Sequence, residues 1–150
     1  MDSAKPDTGA PVPIPPEVRR FLEAMRVPCV LSTLRRDGHP ITSSTWYGFA
    51  PDGDVIIATP AKRNKAKNVR RDGRISMLVD TRERPYCGVA IEGLGEVLAD
   101  PDGRLLRVIV ERYLGADEAA QMLGRLGEQD ERVIIRVVPQ RVRPWGMVGG

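Results

Sequence analysis

The 150-residue chain reads as a mainly β protein, a small antiparallel barrel with peripheral helices. Three observations carry that reading. Apolar, β-rich runs are joined by tight-turn signals such as Asp37-Gly38 and Pro51-Asp52-Gly53, which favour hairpins. The strands follow one another without the regular helical crossovers that a parallel sheet requires. The length suits one core and is short for two independent ones.

Element by element, residues 1–14 contain Pro6, Pro11 and Pro13 among small polar neighbours and are expected to form a disordered tail ahead of a single domain, 15–150. Pro15 and Pro16 stand where a helix can begin, and Val18, Phe21, Leu22 and Met25 share a face, predicting a helix over 16–26. Residues 28–34 form the first strand. The second runs from His39 to about Phe49 and the third over 55–59.

After Pro60 the period changes. Ala66 and Val69 share a face and Asn64 can act as N-cap, so a short helix is expected over 64–71. A strand follows at 74–80, then a long one at 86–100, where Gly93 and Gly95 predict a bend or bulge. Two helices are expected at 100–115 and 117–126. A last strand, 132–145, should be interrupted by Pro139 or placed by it at an edge.

Composition narrows the function. Apolar residues make up 41% and charged residues 29%, an ordinary globular balance. No apolar run approaches the ~20 residues that a membrane span needs. The N-terminus lacks the apolar segment of a secretory signal, so a cytoplasmic protein is expected. Cys29 and Cys87 stand in apolar settings without metal-binding spacing, which predicts reduced core thiols and no metal site.

Charge is concentrated in one place. Between Lys62 and Arg74 seven cations face a single carboxylate, Asp72, whereas the whole chain is only +3; the remainder is therefore net negative. A localised anion is the expected partner. Unpaired N–H groups at a helix start, flanked by Lys and Arg, suit a phosphate or carboxylate. On spacing alone the run is equally a solvated basic helix face. Nucleic acid is disfavoured, because 5% aromatic residues leave few rings for base stacking.

The stretch VIIATPAKRNKAKNVRRDGRISMLVD, 55–80, resembles the cofactor-phosphate segment of the pyridoxamine phosphate oxidase-like superfamily of split β-barrels. LSTLRRDGHPITSSTWYGF and VAIEGLGEVLAD are similar to its first hairpin and long central strand. The resemblance runs from about residue 17 to 145 and rests on the order of several motifs. It implies a six-stranded antiparallel split β-barrel that binds a flavin or deazaflavin at a homodimer interface. Carried over by position, Ser43, Ser44, Thr45 and Trp46 would border the ring, while Thr59, Lys62, Arg63, Asn64, Lys65 and Asn68 would hold the phosphate side. Of these, Thr59, Lys65 and Asn68 are the firmest, and Arg70 and Arg71 read equally well as solvent residues.

In the oxidases proper an Arg and a His near the C-terminus help hold the vitamin substrate, whereas here the end is RVRPWGMVGG and the single histidine is His39. The branch using coenzyme F420 is more similar, and seven cations suit its long polyanionic tail. The expected function is therefore F420-dependent hydride transfer to an unidentified conjugated acceptor. FMN is the alternative cofactor, and a non-enzymatic carrier or haem protein using His39 is the alternative class; as a residue, His39 reads first as an exposed turn histidine. No side chain is singled out as catalytic, since the cofactor carries the hydride chemistry.

Overall fold

The computed structural model describes residues 9–127 and 130–147. One curled sheet holds seven strands: β1 (Cys29–Leu34), β2 (Pro40–Thr45), β3 (Gly48–Phe49), β4 (Val55–Pro60), β5 (Arg74–Asp80), β6 (Gly88–Ala99) and β7 (Arg132–Trp145). Their order is β2-β1-β5-β6-β7-β4-β3, and every pairing is antiparallel. Among the described residues there are also four helices: α1 (Pro16–Ala24), α2 (Asn64–Arg71), α3 (Arg104–Tyr113) and α4 (Ala116–Gly127). None is long and apolar enough to cross a membrane.

Seven strands replace the expected six because the predicted second strand breaks at Trp46 and Tyr47. Trp46 stacks on Tyr113 of α3, ring centroids 4.6 Å apart. Tyr47 turns the other way, wholly buried, its hydroxyl 2.6 Å from the carbonyls of both Leu22 and Met25 at the end of α1. Two large rings anchored to different helices cannot be spanned by one regular ladder, so the chain leaves β1 and resumes as β3 against β4.

The main core lies on one face of the sheet. Alternation along β1 buries Cys29, Leu31 and Thr33, and α1 and α2 add Val18, Leu22 and Val69 to the same cluster. On the other face α3 packs Ile109 against Ile56 and Ile134.

Pro139 does not interrupt β7. The ladder with β6 shifts register between Glu92 and Gly93, so that Gly93 faces Pro139 and Glu92 faces Arg141. The extra residue of this bulge absorbs the missing proline donor, and the carbonyl of Pro139 accepts the N–H of Val12 at 2.9 Å. That bond changes the expectation for the N-terminal tail. From Gly9 onward the chain is fastened to β7, with Gln140 donating to the Gly9 carbonyl at 2.8 Å and Ile14 packed on the core. The tail's first eight residues lie outside the described residues.

Candidate anion-binding site

The site begins where β4 hands over to α2. Residues 64–71 form a helix because Ala66 and Val69 can be buried on one side while the charged residues stay wet. The expected cap is displaced by one residue. Arg63, in an extended conformation, is the N-cap, Asn64 is the first helical residue, and no side chain bonds to the first turn. The opening N–H groups of α2 therefore have no side-chain acceptor, a disposition suited to an anion.

Asn68 is 5% exposed and is locked in place. Its amide donates to Thr33 Oγ1 at 3.0 Å, and its oxygen accepts from Arg71 at 2.7 Å, while the same guanidinium reaches the Leu34 carbonyl at 2.7 Å. Arg71 is thus tied to β1, whereas Arg70 is exposed.

Lys65 is half-buried, and loss of water together with the nearby Arg63 lowers its pKa. It lies near Cys29, whose thiol burial pushes up to about 12 and so keeps neutral. Cys29 pairs with Thr45 across β1 and β2, so Lys65 reaches toward the end of β2.

A groove of about 410 Å³ opens between the β1–β2 hairpin and α2, lined by Arg35, Arg36, Asp37, Ile41, Asn64 and Asn68. Its second wall, Arg35 and Arg36, was not foreseen. Arg36 precedes the first residue of α2 by 28 positions, and only the tertiary fold brings the two together. Arg132, whose Nε is buried without a hydrogen-bond partner among the described residues, lies outside this groove, in a separate hollow with Asp100, Asp102, Asp130 and Glu131. Burial and Arg63 both depress its pKa. The uncapped first turn of α2 and Arg36, which makes no ion pair among the described residues, face the groove without a protein acceptor, the chemistry of an anion site. The arrangement therefore fits a cofactor with an anionic tail.

The remaining predicted residues separate. Ser43 and Thr45 pair with Leu31 and Cys29 on the core face, while Ser44 pairs with Val30 on the outer one. The side chains of Ser43 and Thr45 thus project to one face and that of Ser44 to the other, as β side chains alternate. Trp46 is engaged with Tyr113 under α3. Thr59 is 2% exposed at the end of β4. Lys62 is 81% exposed and 3.5 Å from Asp130, away from the groove lining.

A second groove, about 440 Å³, lies on the outer face and contains none of the predicted residues. Its cations are Arg74, paired with Asp72 at 2.6 Å, and Arg141, and Glu92 adds negative charge; no helix start opens onto it. His39 is exposed at the hairpin, and both cysteines are free. Among the described residues no group of three or more His, Cys, Asp or Glu could hold a metal ion.

A curled antiparallel sheet with peripheral helices and a cationic groove between its first hairpin and a short helix is the architecture of a split β-barrel. The family model for pyridoxamine 5'-phosphate oxidase matches residues 14–146, and the chain belongs to that family. It is similar to a conserved hypothetical protein of Mycobacterium tuberculosis, 32% identical over 93% of this chain and 94% of that one, TM-score 0.75. A solved structure described as an F420 reductase is 26% identical over 87% of this chain and 98% of that one, TM-score 0.67. A haem-binding protein of Mycobacterium smegmatis, 20% identical over 93% of this chain and 57% of that one, TM-score 0.67, shares the fold.

Proposed function

We propose that this protein is a coenzyme F420-dependent oxidoreductase. The cofactor, when bound, supplies hydride transfer between its ring and an electron-poor, conjugated organic acceptor. What carries the reading is the two-walled groove, in which Arg35 and Arg36 face Asn64 and Asn68. A lone phosphate needs one such wall, and a tail with several separated charges can use both. The 26% identity to an F420 reductase over nearly the whole of that chain supports it.

In this reading α2 holds the phosphate side through its first-turn N–H groups, Lys65 and Asn64, with Asn68 fixing the floor. Ser43 and Thr45, on the same face of the sheet as Leu31, border the ring. The protein works as a homodimer, and Ser44 on the outer face belongs to the contact between copies.

Titration of the purified protein with F420 and separately with FMN, followed by cofactor fluorescence, tests the assignment. F420 should bind the tighter, and Lys65→Ala combined with Asn68→Ala should weaken it at least about tenfold, the loss of one charge-assisted hydrogen bond. Tighter FMN binding would reassign the cofactor within the same family. Binding of neither would overturn the proposal.

A further inference from the structure

The β1–β2 hairpin brings Asp37 to the rim of the groove as the sole carboxylate in its lining. That carboxylate is engaged. Arg35 donates to it twice, Nη2 to Oδ2 at 2.9 Å and Nε to Oδ1 at 3.3 Å, and the N–H of His39 donates to Oδ1 at 3.0 Å. The two side chains are 49% and 61% exposed. A pair so open to water is weak and exchangeable.

The turn itself does not depend on that ion pair. Arg35 N–H donates to the His39 carbonyl and Gly38 N–H to the Arg35 carbonyl, both at 2.9 Å, and Gly38 supplies the positive φ of 86°. Arg36, beside it, makes no ion pair among the described residues. Across the groove, Asn64 is exposed. A guanidinium fork fits a phosphate or a ligand carboxylate by the same two-point geometry that it uses for Asp37.

We propose that Asp37 is a built-in competitor that occupies Arg35 until an anionic tail displaces it, and that it thereby sets the charge a ligand must carry to be held. A tail with separated charges gains Arg36 and Asn64 while it takes Arg35 from Asp37. A single phosphate seated on α2 does not reach the exchange. The inference rests on the reading of this groove as the tail site.

The test measures dissociation constants by fluorescence titration with F420 bearing a multi-glutamate tail and with FMN. Asp37→Asn keeps an oxygen for the His39 N–H and removes the charge. It should tighten F420 about two- to fivefold, the size of an exposed ion pair, and change FMN less. Adding Arg35→Ala should abolish that gain. A gain that persists in the double variant means general charge relief, and with it the competitor role falls. Unchanged or weaker F420 binding by Asp37→Asn also overturns it. If Lys65→Ala with Asn68→Ala leaves F420 binding intact as well, the tail site itself is misassigned; if that variant weakens binding, only the competitor is.

Discussion

Lys65 shows how a single side chain can be placed by sequence and yet owe its chemistry to the fold. Its position in the first turn of α2 follows from the helix register, but its half-burial beside the Cys29 strand depends on a contact across the sheet. Loss of water and the neighbouring Arg63 both lower its pKa from 10.5, and an anion seated beside it would restore the protonated form. The sign is fixed by linkage: a ligand that prefers the ammonium binds less well as pH rises through the lowered pKa, and at that pH takes up protons on binding. Affinity for F420 should therefore fall on the alkaline side. Calorimetry in two buffers of different ionisation enthalpy should register the proton uptake, and Lys65→Ala should remove it. The positions of Asn68 and Thr59 were also legible, one in the helix register and one at the strand end, and both side chains are buried, but of the two only Asn68 lines the groove. Arg35 and Arg36, which also line it, were not, since nothing local distinguishes them from solvated arginines.

Elements were legible where one local rule decided them. The bounds of β5 and α2 follow from alternation and from the Ala66–Val69 face, and the structure has both as expected. The second strand was misjudged because alternation continues through Trp46 and Tyr47, and only the helices that take their rings reveal the break. The bulge at Gly93 was foreshadowed by its glycines, while its role in accommodating Pro139 required knowledge of the register. A Cβ at Gly93 would collide with the backbone carbonyl of Val138, which no rotamer change can relieve. Gly93→Ala should accordingly destabilise the fold by about 1–3 kcal/mol, in the range of overpacked sites, and shift the denaturant midpoint without altering the slope. Gly124→Ala, where nothing lies within 4 Å of an added Cβ, is the control and should be neutral or mildly stabilising in α4.

At the scale of the whole molecule the sheet has one face closed by α1 and α2 and another only partly covered. On the uncovered part, Val30, Leu78 and Ala90 face one another across β1, β5 and β6 and remain half-buried. Trp145, 42% exposed, lies over Gly88. Apolar side chains in adjacent rows of a sheet gain more from a second copy than from water. The proposed homodimer would cover them, and it would bring the outer-face Ser44 of each copy against the other, on the same strand whose Ser43 and Thr45 face the core. Cofactor binding and association should then be coupled. Sedimentation equilibrium should give a dimer, and Leu78→Glu, which sets a charge in the middle of that row, should give a folded monomer with unchanged far-ultraviolet circular dichroism. If ring contacts come from both copies, that monomer should bind F420 more weakly than the parent while Lys65 and Asn68 stay intact. A monomeric parent would remove the partner from the site, and a Leu78→Glu monomer with parental affinity would assign the whole cofactor site to one chain.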